Sequence, residues 1–186
     1  VITRDDLRRT GVTTLADALR LVPGMQVGRI DANKWAITSR GFDDLFANKL
    51  LVMIDGRTVY TPLFSGVFWD AQQVPMDGVE RIEVIRGPGA SLWGANAVNG
   101  IVNVITRSAR ETTGMYARAG IGTEERRSVT AGLGARLSDG AFYRVYGMYS
   151  DRGNGGDTPA ARAHDRWTMR QGGLRLDWSA TPRDEV

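Results

Sequence analysis

Gly89 and Gly94 carry the glycine spacing of a phosphate-cradling loop, G-x4-G-K-[ST]. That loop needs a lysine charge for the phosphates and a hydroxyl for magnesium. Here Ala95 and Asn96 follow instead, which removes the case for nucleotide hydrolysis. The dinucleotide fingerprint, begun at Gly87-Pro88-Gly89, would place its third glycine where Leu92 stands. Asp43-Asp44 and Glu124-Glu125 are adjacent carboxylates, but sequence neighbours on a strand point to opposite faces and cannot share one substrate proton. The run from Asp151 to Asp157, DRGNGGD, is rich in oxygens that calcium favours, yet lacks the D-x-[DN]-x-[DN]-G order and reads as a flexible turn. Asn96, Asn99 and Asn103 have no reactive neighbour in the sequence. His164 is the lone histidine, and cysteine is absent, so no metal-thiolate site, disulfide, cysteine nucleophile or Ser-His-Asp set can be assembled. The residues point away from an enzyme, a resident metal or a cofactor.

The 186 residues suffice for one domain or slightly more, and 42% hydrophobic with 24% charged residues gives a packed core. Of 24 basic residues only Lys34 and Lys49 are lysines, and a net charge of +3 is too small a field to point to nucleic acid. Val1 to Thr10 reads VITRDDLRRT, with charges where a secretory segment would need an apolar stretch. The longest uncharged run, residues 87–106, holds Pro88, four glycines and three asparagines, so it is no transmembrane helix. Glycine, at 23 of 186 residues, stands well above the roughly 7% of average proteins and calls for many tight turns or close approaches.

The elements that must position these residues change character near residues 106–114. Thr3 with Asp6, and Thr14 with Asp17, have capping-box spacing. The second opens TLADALRLV, where Leu15, Ala18, Leu19 and Val22 share one face, and Pro23-Gly24 stops it. Leu50 to Ile54 is an apolar strand ended by the turn signal Asp55-Gly56, with Arg57 to Tyr60 returning. VERIEVI (79–85) and IVNVIT (101–106) are further strands, and the glycine- and asparagine-rich segment between them predicts no regular element. From Met115 the period becomes two. Met115, Ala117, Ala119 and Ile121 alternate with Tyr116, Arg118 and glycines, and residues 127–137, 143–149 and 172–178 repeat the pattern. Strands of this length suit either a soluble antiparallel meander or tilted strands of a membrane barrel. The tight turn at Ser138-Asp139-Gly140, the long polar connection at 152–166 and the aromatic residues Tyr143, Tyr149 and Trp178 at strand ends favour the barrel without deciding it.

Residues 79–107, VERIEVIRGPGASLWGANAVNGIVNVITR, resemble the plug-domain signature of TonB-dependent outer-membrane receptors. They reproduce an ERIEV strand, an RGP turn, a small-residue loop with Leu-aromatic-Gly, and a G-x-x-N-x-x-[ST]-[KR] strand. TLADALRLVPGMQV (14–27), SRGF (39–42) and LLVMIDGRTVY (50–60) are similar to earlier plug elements and occur in the same order. The resemblance covers about residues 1–108. It implies an α+β plug domain over 1–108, followed over 109–186 by the first four or so antiparallel strands of a transmembrane β-barrel, a fragment of a roughly 22-stranded barrel. Gly87, Pro88, Gly89, Gly94 and Gly100 would form the signature loop.

The resemblance further implies residence in the bacterial outer membrane, with the plug in the barrel lumen and reached from the periplasm. The partners would be outer-membrane lipid, TonB acting through a segment upstream of this chain, and a scarce ligand such as a ferric siderophore. Two segments are candidate ligand sites at the plug apex. The first, residues 29–35, would expose Asn33, Lys34 and Trp35 in a polar turn; the second, 59–70, crowds Tyr60, Phe64, Phe68 and Trp69 together. Arg40, Glu83 and Arg86 match charged plug residues that lock onto the barrel wall, where a buried charge must be paired. No TonB box precedes the VITRDDL element, and four strands cannot close a barrel, so the chain reads as part of a longer receptor. Cobalamin or another nutrient as ligand, and a free-standing plug-like binding or sensing module, stay open as alternatives.

Overall fold

The computed structural model describes residues 1–39, 41, 49–61, 63, 66–94, 96–154 and 165–179, and divides into two units, Val1–Thr106 and Arg107–Val186. Among the described residues no helix is long and apolar enough to cross a membrane.

In the first unit β1 (Ile2–Thr3) leads into α1 (Arg4–Thr10). Thr3 caps α1: its hydroxyl accepts from the Asp6 amide, and Asp6 Oδ2 accepts from the Thr3 amide at 2.9 Å, the reciprocal box that the spacing predicts. The two contacts with Thr3, first from its hydroxyl, hold the Asp6 carboxyl below its ordinary value. Thr14 caps α2 (Leu15–Leu19) in the same way, with its hydroxyl 3.1 Å from the Asp17 amide. Leu15, Ala18 and Leu19 are buried on one face, as expected. The chain then tightens through Leu21–Ala18 and Val22–Leu19 bonds into the Pro23-Gly24 stop.

β2 (Met25–Arg29) and β3 (Trp35–Ser39) form an antiparallel hairpin. The main sheet has the order β1-β6-β7-β4-β5, built from β4 (Leu50–Ile54), β5 (Arg57–Thr58), β6 (Val79–Arg86) and β7 (Gly100–Thr106). Only the β4–β7 pairing is parallel. On one face Leu50, Val52, Ile82, Val102 and Val104 join the helices in the core. On the other, Leu51, Met53 and Ile101 pack with Ala97. Burial on both faces is why the β4 run is apolar without alternation. Asp55 closes the turn after β4 by accepting from both the amide and the hydroxyl of Thr106, each at 2.7 Å.

The segment between β6 and β7 is more regular than its composition suggests. Gly87 and Gly89 amides bond to the Asn99 and Ala97 carbonyls, extending the β6–β7 ladder, and α3 (Ala90–Trp93) adds one helical turn. Glycine content signals where the backbone must bend, and here the bends frame a turn of helix. Gly94 ends it at φ 97°, in the region that disfavours side chains, and a Cβ on Gly100 would come within 2.6 Å of the Ile85 carbonyl oxygen.

The second unit is a four-stranded antiparallel meander, β8 (Gly114–Gly120), β9 (Glu125–Ser138), β10 (Ala141–Arg152) and β11 (Trp167–Trp178), in sequential order. The strands have 7, 14, 12 and 12 residues. The β9–β10 connection is the predicted tight turn, with Gly140 at φ 86°.

Candidate functional site

Residues 29–35 join β2 to β3, and Asp31 organises them. Its Oδ1 accepts from the amides of Asn33 and Lys34 at 3.0 and 2.8 Å, and its Oδ2 lies 2.5 Å from Lys34 Nζ. This is an Asx turn closed by an ion pair. Burial pushes the Asp31 carboxyl up, but the bonds from Lys34 and Asn33 outweigh it and hold the group below its ordinary 3.8. Asn33 Nδ2 then donates to Asp70 Oδ2 at 3.2 Å, joining the two predicted ligand segments across 37 positions of sequence. Asp31 and Asp70 are the residues that sequence reasoning missed. An Asp two positions before Asn33 was a visible turn signal for the first, whereas no local pattern marks the second.

Two of the predicted contacts are corrected. Trp35 is not exposed: it opens β3, it is 3% accessible, and the guanidinium groups of Arg20 and Arg29 lie 5.3 and 5.9 Å from its ring centroid. The polar turn ends one residue earlier, and strand alternation turns Trp35 into the core with Ile37. Trp69, 5% accessible, likewise belongs to the core, with its carbonyl held by Gln73 Nε2 at 2.9 Å. Tyr60 and Phe68 are half-buried, Lys34 is exposed, and Leu63 between the aromatics is 80% accessible. Phe64 lies outside the described residues.

Of the predicted lock residues, Arg40 also lies outside the described residues. Both oxygens of Glu83 are engaged within the unit: Oε1 lies 2.7 Å from Arg81 Nε, and Oε2 accepts from Asn103 Nδ2 at 3.3 Å. The Arg81 bond is the main reason the Glu83 carboxyl sits below its ordinary value. Arg86 is exposed and donates from Nη1 to the Pro23 carbonyl at 2.7 Å, tying the end of β6 to the turn after α2. In the signature loop Gly87 and Gly89 are buried in the extended ladder, Pro88 and Gly94 are exposed, and Gly100 is buried under β4 and β6. Leu92 and Trp93 on α3 are 86% and 45% accessible.

The second unit has two faces of opposite character. Met115, Leu133, Leu137, Val145, Leu174, Leu176 and Trp178 are exposed on one. The other carries Tyr116, Arg118, Thr130, Arg144, Tyr146, Ser150 and Gln171. Its packing is close: a Cβ on Gly132 would meet the Tyr116 ring at 2.2 Å, and one on Gly173 the Tyr146 ring at 2.4 Å. Each tyrosine lies over a glycine of the next strand. The segment before β8 folds onto this same face, where Arg144 Nη1 donates to the Arg107 carbonyl and Arg110 stacks over Phe142.

Comparison with known proteins agrees with this geometry. The family model for the TonB-dependent receptor plug domain matches residues 1–101. The vitamin B12 transporter BtuB of Vibrio cholerae serotype O1 is 28% identical over 180 residues, covering 96% of this chain and 29% of the transporter. The siderophore receptor PirA of Pseudomonas aeruginosa superposes with a TM-score of 0.64 at 26% identity, over 97% of this chain and 32% of that one. The pyoverdine outer membrane receptor FpvA of the same organism, bound to pyoverdine, shares the fold, with a TM-score of 0.75 at 19% identity over 99% of this chain and 25% of that one. The chain thus spans about 29% of the length of the curated relative, and the relatives are transporters and receptors, not enzymes. With its plug signature, its plug sheet and the antiparallel strands that follow them, this chain belongs to the TonB-dependent receptor plug family.

Proposed function

We propose that this chain is the gating end of a TonB-energised outer-membrane uptake receptor, and that a ferric siderophore seats against residues 29–35 and 59–70. The observation that carries the reading is the reversed polarity of the second unit. Leu137 and Leu174 on one face are 68% and 71% accessible, while Arg144 and Ser150 on the other are each 7% accessible. Water penalises that arrangement, whereas lipid on one side and a polar lumen on the other stabilise it. Asn33, Lys34, Tyr60 and Phe68 are the ligand contacts in this reading, with Phe64 added from the sequence; rings in that segment can stack on a catecholate. TonB pulls through a segment upstream of residue 1. Arg86 and Glu83, with Arg40 from the sequence, serve as locks to the barrel wall. The siderophore receptor and the pyoverdine-bound receptor among the structural neighbours support this ligand class.

A second reading, cobalamin, is favoured by one observation. Lys34 gives its charge to Asp31 at 2.5 Å, so the turn offers little net attraction to an anionic iron chelate. The Vibrio cholerae relative named as a vitamin B12 transporter points the same way.

Uptake by the full-length receptor, in cells with and without TonB, separates the two. Radiolabelled iron offered as a siderophore complex is expected to accumulate only with TonB, and Tyr60→Ala or Phe68→Ala to weaken binding about fivefold each. TonB-dependent accumulation of labelled cobalamin instead would transfer the site to the second reading. Accumulation of neither would sink both.

A further inference from the structure

On the apolar face of the second unit, strand pairing aligns side chains in rows. Ala117, Ala131, Gly147 and Gly172 form one row of small residues across all four strands. Met115, Leu133 and Val145 in the row beside it wall a shallow groove whose floor is Ala117, Ala131 and Gly147. The row on the opposite side of the groove contains Tyr149 and Arg170, paired across β10 and β11, with the guanidinium 5.9 Å from the ring centroid. One row further on, Arg127, Asp151 and Thr168 face one another. From strand spacings, the Arg127 and Arg170 Cα atoms stand on the order of 12 Å apart, within joint reach of one headgroup.

Asp151 would oppose an anion in this position, but its charge is already taken. Arg166 Nε and Nη2 each lie 3.0 Å from one of its oxygens, a bidentate pair. Arg127 and Arg170 remain exposed beside it. They stand at the end of the sheet where residues 153–166 connect β10 to β11, opposite the tight β9–β10 turn. In membrane barrels long connections are extracellular and short turns periplasmic. The arginines therefore mark the outer-leaflet boundary, with the groove running below them at acyl-chain depth.

We infer that this strip, Arg127 and Arg170 above the Ala117–Ala131–Gly147 groove, holds a phosphorylated lipid of the outer leaflet, an inference that rests on the outer-membrane reading above. Guanidinium groups pair with phosphate bidentately, and the groove accepts an acyl chain where larger side chains would fill the face. The Tyr149 ring beside Arg170 occupies the headgroup level that aromatic residues favour. A soluble anion would use the arginines and leave the groove idle.

The test is native mass spectrometry of the detergent-purified full-length receptor, titrated with diphosphoryl lipid A, monophosphoryl lipid A and inorganic phosphate. The Arg127→Gln, Arg170→Gln double variant is expected to lose about 25-fold in affinity for the diphosphoryl lipid, at roughly fivefold per arginine. The monophosphoryl lipid should bind the unaltered receptor more weakly, and Arg136→Gln, near the tight turn on the polar face, should change nothing. Unchanged lipid binding in the double variant, an equal loss in Arg136→Gln, or displacement of the lipid by inorganic phosphate at comparable concentration would overturn the site. Migration in detergent gels before and after heating keeps the two levels apart. A receptor that shows no heat-dependent shift removes the outer-membrane reading and the lipid site with it. One that shifts, but whose double variant binds lipid normally, removes the lipid site alone.

Discussion

The two units of this chain bury opposite things. In residues 1–106 the interior is Leu15, Leu19, Ile37, Val52, Ile82 and Val104, each nearly inaccessible, and the charges lie outside. In residues 107–179 the buried side chains are chiefly Arg144, Ser150, Asp151 and Arg152; the sole buried apolar residues among those described are Ala109 and Ala141. Meanwhile Met115 and Ile121 are 85% and 91% accessible. Both units contain strands, so the presence of strands alone does not separate them. What separates them is the solvent each face is built for. Water drives the first unit together through apolar burial. The second buries little apolar surface, and on the proposed outer-membrane reading its stability comes from backbone pairing with lipid on one face.

The sharpest way to break that contrast is to place a charge on each face of the second unit in the full-length receptor. Leu174→Arg, near the middle of β11 on the apolar face, is expected to cost about 2–4 kcal/mol in unfolding from lipid vesicles. Gln171→Arg, on the polar face of the same strand, should fall within about 0.5 kcal/mol of the parent. Equal costs would mean that the two faces meet the same medium, and the barrel assignment would fail.

A smaller effect sharpens the packing on the polar face. Gly132→Ala places a methyl against the Tyr116 ring and is expected to cost about 1–3 kcal/mol by forcing the ring aside. Gly147→Ala, on the apolar face with nothing within 4 Å of the new methyl, should instead be neutral or stabilise by up to about 1 kcal/mol. Adding Tyr116→Ala should remove most of the Gly132→Ala cost when unfolding midpoints of the single and double variants are compared. A cost that persists without the ring would assign the glycine to backbone geometry instead.

Much of this contrast was legible in the sequence because it is local. The Thr3–Asp6 and Thr14–Asp17 caps, the Asp55-Gly56 turn and the alternation from Met115 each depend on neighbours within a few positions, and the structure reproduces them. The candidate ligand site was legible in outline only. Asp31, Asn33 and Lys34 before Trp35 spell a polar turn, but the parity of β3 decides which way Trp35 points, and parity depends on where the strand begins. Trp69 is drawn into the core by residues distant in sequence, and the Asn33–Asp70 bond spans 37 positions, so neither leaves a local trace. The helical turn at Ala90–Trp93 leaves no signal in the sequence, because four residues among glycines carry too little periodicity.

The smallest expected effect concerns the Asp31 turn in the first unit, where charge and geometry can be separated. The Asp31 carboxyl lies below its ordinary 3.8 in the folded chain, so the unfolded chain binds its proton more readily. Its contribution to stability is therefore fully present above about pH 3.8 and is lost as pH falls through the lower folded value. Asp31→Asn keeps a neutral oxygen for the Asn33 and Lys34 amides while removing the charge that Lys34 pairs with. The pair is partly exposed, which limits its worth to about 1 kcal/mol or less at neutral pH. Thermal unfolding of the full-length receptor at pH 7 should thus show a small loss for Asp31→Asn, and the two proteins should converge as pH is lowered below about 3.8. A loss that stays constant down to pH 3 would mean that the backbone hydrogen bonds alone shape the turn. Lys34 would then keep its charge available to a ligand, removing the observation that favours cobalamin over an anionic iron chelate.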